Sequence, residues 1–234
     1  MGGETPIDAV AARSALAWWL QAGVDVAIQE EPRNWLAPAP AKPAAEALEP
    51  TPQEGVPDTL EAFRAWLGES ASLPGDGLSS RRVLPVGVEG APLMLMADAP
   101  SAEDAASGQP IGGDSWILAQ RLLAAIGIAT DEAYVASLSC FHAPGGQLGT
   151  QELSAWAKIA RRHVALARPK RLLLLGDGPC RALLDRPVAQ ARGHVYKVEG
   201  VRTVATFHPR MLIKTPARKA DAWRDLLLLM ENDA

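Results

Sequence analysis

The run "RLLLLG", Arg171–Gly176, decides the fold. Four consecutive leucines leave no polar side, so a strand built from them must be covered on both faces. That is the pattern of a central strand in a largely parallel sheet. Further apolar runs lie at 92–97, 133–139 and 202–206. Stretches with helical spacing lie between or after them, at 114–126, 150–167, 177–184 and 216–231. Strands alternating with helices predict an α/β domain. Ligands of such sheets sit beyond the carboxyl ends of the strands. The loops to read are therefore 97–113, 140–149 and 207–215.

The chain has 234 residues, of which 48% are apolar, enough for one full domain and an appendage. Helical periodicity at 9–23 and a Pro/Ala-rich stretch without periodicity, "APAPAKPAAEALEPTPQEGVPDT", precede a short helix at 59–67. The expected organisation is an N-terminal helical extension (1–36), a linker (37–58) and an α/β domain (59–234). The first residues, "MGGETPIDAV", have neither the basic nor the apolar region of a signal peptide. No run approaches the roughly 18 apolar residues of a membrane span. Cys140 and Cys180 form neither a disulfide framework nor a metal-ligand spacing. A reduced, cytoplasmic setting is expected.

The formal net charge of −4 conceals a polarised chain. Residues 1–157 carry a balance of −13, whereas 158–219 carry +12. Such a chain can present one basic face to a polyanion while remaining acidic overall. The acidic part can equally shield that face or dock a protein partner.

Loop one, "ADAPSAEDAASGQPIGG", has no Lys before Ser/Thr and no spaced glycines opening a helix, so it is no phosphate cradle. This speaks against a generic nucleotide-binding domain. Loop three places His208 and Pro209 directly after a strand. A His held on both sides can aim one ring nitrogen at a ligand. Arg210, Lys214, Arg218 and Lys219 follow, suited to phosphate contacts. Met211, Leu212 and Ile213 form an apolar tip among them, of a kind that wedges between stacked bases. The alternative for His208 is a packed histidine with a helix-capping loop behind it.

These loops resemble the family 4 uracil-DNA glycosylases, in particular their alphaproteobacterial-type members. The family pattern "GEAPGAEEDRQGRPFVG" lies without a gap on Ala97–Gly113, sharing Ala99, Pro100, Glu103, Gly108, Pro110 and Gly113. "HPAYLLRSPAAKREAWADL" lies on His208–Leu226. "YITNVLFWRPPGNR" lies on Tyr134–Gln147, matching mainly Tyr134, Pro144 and Gly145. The start "SALAWWLQAGVDVAIQEEP" is similar to the family's leader helix. The resemblance implies a three-layer α/β/α fold around a mostly parallel four-stranded sheet. It also implies a substrate, a deaminated base flipped out of single- or double-stranded DNA. Expelling that base as an anion needs a donor at its oxygen, a platform, a reader of its edge and an acid near the sugar.

By this resemblance His208 is the donor and Asp98 the acid, one methylene shorter than the family's Glu. Ala99, Pro100, Ile111 and Ser137 form the base pocket. The family's aromatic platform falls on Ile111, which covers a base without a π-face. Its Asn reader falls on Ser137, whose single hydroxyl cannot supply a paired donor and acceptor. Many members hold an iron-sulfur cluster through four cysteines. Here the first pair is absent, the third position falls on Phe141 and the fourth near Trp156. The expectation is a chain without a cluster, in which these two aromatics fill the space as core. Two functions follow: a glycosylase with altered or weak uracil specificity, or an inactive member that binds DNA or a repair partner.

Overall fold

The computed structural model describes residues 56–75, 81–142 and 148–231. The expected N-terminal helix and most of the linker lie outside these residues. Among those described, the sheet consists of β1 (Leu93–Ala97), β2 (Ala133–Ser137), β3 (Arg171–Leu175), β4 (Val195–Val198) and β5 (Val201–Thr206). Their order is β2-β1-β3-β5-β4. The four expected strands, β1, β2, β3 and β5, run parallel to one another. The fifth, β4, corrects the expected count: it pairs antiparallel with β5 as a short hairpin at the edge. Its pattern "VYKV" is too brief and too exposed to give an apolar run.

The helices are α1 (Leu60–Glu69), α2 (Ala102–Ser107), α3 (Gly113–Ala125), α4 (Thr150–Ala167), α5 (Asp177–Leu184), α6 (Val188–Ala191), α7 (Pro209–Lys214) and α8 (Lys219–Met230). Alternation along the central strands builds two cores. Met94, Met96, Leu172 and Leu174 face Phe63 of α1 and Trp156 and Val164 of α4. Leu93, Leu95, Leu173 and Leu175 face Leu123 of α3 and Leu226 and Leu229 of α8. Helices thus cover both faces, giving the three layers that the leucine run requires.

Register places the loops. Ala97 pairs with both Ser137 and Leu175, and Leu175 pairs with Thr206. The four parallel strands therefore end in one row. The chain leaves β1 toward β2 on one side and β3 toward β5 on the other, so β1 and β3 flank the point where the winding reverses. Open α/β sheets form their binding crevice there.

Candidate active site

Asp98 is the first residue beyond β1 and lies at this reversal point. The backbone N–H of Gly178 donates to its Oδ1 at 2.6 Å. Gly176, with φ +100°, passes so close that a Cβ there would lie 2.1 Å from Asp98 Oδ2. A Cβ on Gly178 would lie 2.8 Å from Oδ1. The turn "GDG" after β3 is thus a cradle for this carboxylate, and only glycine fits the positive φ and the close approach. Burial pushes the Asp98 carboxyl up from 3.8 to about 6, Gly178 and Arg210 pull it down less, and Asp177 adds to the rise.

His208 directly precedes α7 and caps it. Its Nδ1 accepts the backbone N–H of Arg210 at 3.1 Å, and Pro209 occupies the first helical position. An accepting Nδ1 carries no proton, so the neutral ring carries its proton on Nε2. Burial, aided by the Arg210 charge and opposed by Asp104, lowers the imidazole to about 3. His208 is therefore a neutral Nε2–H donor at physiological pH. Packed histidine and capping loop, the alternative above, describe its Nδ1 side; the Nε2 side remains for a ligand.

Asp98 and His208 line one cleft of about 500 Å³ with Asp177, Phe207, Met211 and Lys214. A second hollow of about 450 Å³ also borders Asp98 and Asp177 and is lined by Ala99, Leu138, Thr150 and Arg181 among others. The structure thus unites the two expected catalytic residues.

The expected base-pocket residues are placed less openly. Ala99 and Pro100 are buried. The Pro100 carbonyl accepts from Nδ1 of His142, which ties loop two to loop one at 2.8 Å. Ile111 is 1% exposed and packs in the α3/α8 core with Ala97. Ser137 is half-buried, and its hydroxyl donates to the Pro110 carbonyl at 3.2 Å. That leaves only acceptor capacity on its oxygen.

Among the expected DNA contacts, Lys214, Lys219 and Arg218 are exposed. The Arg218 guanidinium also lies 4.5 Å from the centre of the Phe207 ring. Met211 and Ile213 are exposed, but Leu212 is fully buried. This corrects the expected three-residue apolar tip. Residues 209–214 are helical, each turned about 100° from the last, so Leu212 points into the core between two outward neighbours. Arg210 bonds Asp104 Oδ2 at 2.8 Å.

Sequence reasoning missed the β3 turn, Asp104 and His142. The turn was detectable, since it follows the same rule of carboxyl ends that selected the other loops. Asp104 and His142 carried no pattern.

The residues here do not fit a four-cysteine cluster. Phe141 and Trp156 are buried and meet edge to face, their ring centres 6.3 Å apart. Trp156 Nε1 donates to the Pro74 carbonyl at 3.2 Å. The whole chain has two cysteines, Cys140 and Cys180, both buried and neither in a disulfide. Among the described residues no group of three or more His, Cys, Asp or Glu is placed to hold a metal ion. Nor is any described helix long and apolar enough to cross a membrane.

Comparison with known proteins agrees with this fold. The uracil DNA glycosylase superfamily matches residues 84–227. A type-4 uracil-DNA glycosylase of Pyrobaculum aerophilum is 21% identical over 147 residues, covering 58% of this chain and 75% of the relative. One of Archaeoglobus fulgidus is 23% identical over 142 residues, covering 56% and 71%.

Proposed function

From the premise that the chain belongs to the uracil DNA glycosylase superfamily, we propose that it hydrolyses the N-glycosidic bond of a flipped, deaminated base in DNA, with altered or weak specificity for uracil. The observation that carries this reading is the cleft lined by both the Asp98 carboxylate and the neutral His208 imidazole, which follow the ends of β1 and β5 on either side of β3. As the bond between C1′ and the base nitrogen breaks, its electron pair leaves with the base. The Nε2–H of His208 donates to the base oxygen where that charge collects. Ionised Asp98 faces the cationic sugar and accepts a proton from the water that attacks C1′. The departed base anion takes up the proton that Asp98 then releases, through solvent, so the products are an abasic site bearing a C1′ hydroxyl and the neutral free base. Exposed Lys214 and Lys219 meet the DNA phosphates, with Met211 and Ile213 as the apolar wedge. The donor set calls for no iron-sulfur cluster.

Altered specificity rests on Ile111 and Ser137. A platform without a π-face and a reader with one hydroxyl lose contacts that together hold uracil; a lost bidentate pair costs about 1–3 kcal/mol of discrimination. The same two residues favour a second reading, an inactive member that binds DNA or a repair partner. A gel assay with oligonucleotides bearing uracil, hypoxanthine or xanthine, single- and double-stranded, separates the two. Abasic product from at least one base supports the enzyme. DNA binding with no product from any of them, at enzyme excess, supports the second reading.

A further inference from the structure

Asp104 is a buried carboxylate that gathers parts of both catalytic loops. Its side chain is 3% exposed. Oδ2 accepts from the Ser101 backbone N–H at 2.8 Å, from the Ser101 hydroxyl at 2.6 Å and from Arg210 Nη2 at 2.8 Å. Oδ1 accepts from the Gly112 N–H at 2.6 Å. Ser101 and Gly112 bracket the segment that links Asp98 to α3. Arg210 arrives from the other loop, 106 positions away in sequence. Its own backbone N–H holds Nδ1 of His208. One residue thus sets the ring of His208 and reaches across to the loop that begins at Asp98.

We infer that Arg210 is a positioning residue, a strut that fixes the two sides of the cleft through Asp104, and not a phosphate anchor. The charges decide this. A buried carboxylate that loses its cation is left uncompensated, which destabilises strongly. A DNA phosphate that drew Arg210 Nη2 to itself would leave the Asp104 carboxylate without its cation. Lys214 and Lys219 reach phosphate with no such cost, because they are exposed.

The cleft's catalytic role is the reading proposed above, and only the kinetic arm of the test depends on it. Arg210→Gln, Asp104→Asn and Lys214→Ala are compared with the parent chain. The measurements are amide hydrogen exchange of segment 101–112 and the salt dependence of binding to a labelled DNA duplex. The strut predicts that Arg210→Gln speeds exchange at Ser101 and Gly112 by about ten-fold or more. It also predicts an unchanged slope of log K against log salt. Lys214→Ala should lower that slope by about one and leave the exchange alone. Where excision is measurable, Arg210→Gln lowers kcat and leaves KM. Unchanged exchange at Ser101 and Gly112, or a slope reduced by about one in Arg210→Gln, overturns the strut. If Asp104→Asn does not fold, Arg210→Gln decides alone, since its side chain is one-third exposed. A parent chain that binds no DNA at low salt contradicts the proposed function, and the exchange result still decides the strut.

Discussion

Replacing Asp98 with Asn should make the protein more stable at neutral pH, and the size of the effect follows from where the carboxyl sits. Burial raises its pKa from 3.8 to about 6 in the folded chain. Folding therefore favours the protonated form. Below the unfolded value both states are protonated, and Asp98 carries no electrostatic penalty. As pH rises from about 4 to 6 the unfolded chain ionises first, and stability is lost. Above about 6 the loss is complete. A difference of about two units corresponds to about 3 kcal/mol. Asn keeps an oxygen for the Gly178 N–H and never ionises, so Asp98→Asn should recover most of that amount at pH 8 and little at pH 4. For a domain of this size the gain at pH 8 is a rise in Tm of roughly 6–12 °C. Urea unfolding of both proteins at the two pH values measures it directly. Equal stability at both, or a variant less stable at pH 8, would refute the claim that this acid is held ionised against its environment. An acid held ionised at such a cost marks a candidate functional position.

Further outcomes follow from the same geometry. The excision rate should fall about ten-fold per pH unit below about 6, because Asp98 must be ionised, and a pH–rate profile flat from 4.5 to 8 contradicts this. His208 should contribute no limb of its own in that range, being neutral down to about 3. Gly176→Ala forces a Cβ onto Asp98 Oδ2 at φ +100°, so single-turnover excision should drop by at least ten-fold while DNA binding holds. Trp156→Ala should cost about 3–5 kcal/mol in a denaturant titration, as for other large buried aromatics, and a loss under 1 kcal/mol would show that this ring is not core.

The three-layer fold was legible because its signal is physical and local. "RLLLLG" admits only a doubly covered strand, and α4 and α5 follow their apolar periodicity to the residue. What stayed hidden depended on partners distant in sequence. β4 pairs only because β5 offers an edge, and its alternating "VYKV" carries no buried run. The helix α7 is six residues long, too short for its apolar spacing to distinguish it from loop. Its presence alone decides that Leu212 turns inward while Met211 and Ile213 turn outward. Asp98 and His208 were found from strand ends and family pattern. The features that orient them were not. Gly176 reads as an ordinary turn glycine until Asp98 is seen against it, and Asp104 reads as a surface acid until Arg210 reaches it.

The most direct test of the central claim is single-turnover base excision by the parent, Asp98→Asn and His208→Ala. The substrate is whichever of uracil, hypoxanthine and xanthine the parent processes best. The account predicts abasic product from the parent. Each variant should be slower by about 100-fold or more, as expected when a transition-state donor or charge is removed, while binding DNA as tightly as the parent. Parent-like rates in both variants, or no product from the parent with any of the three bases, would contradict it.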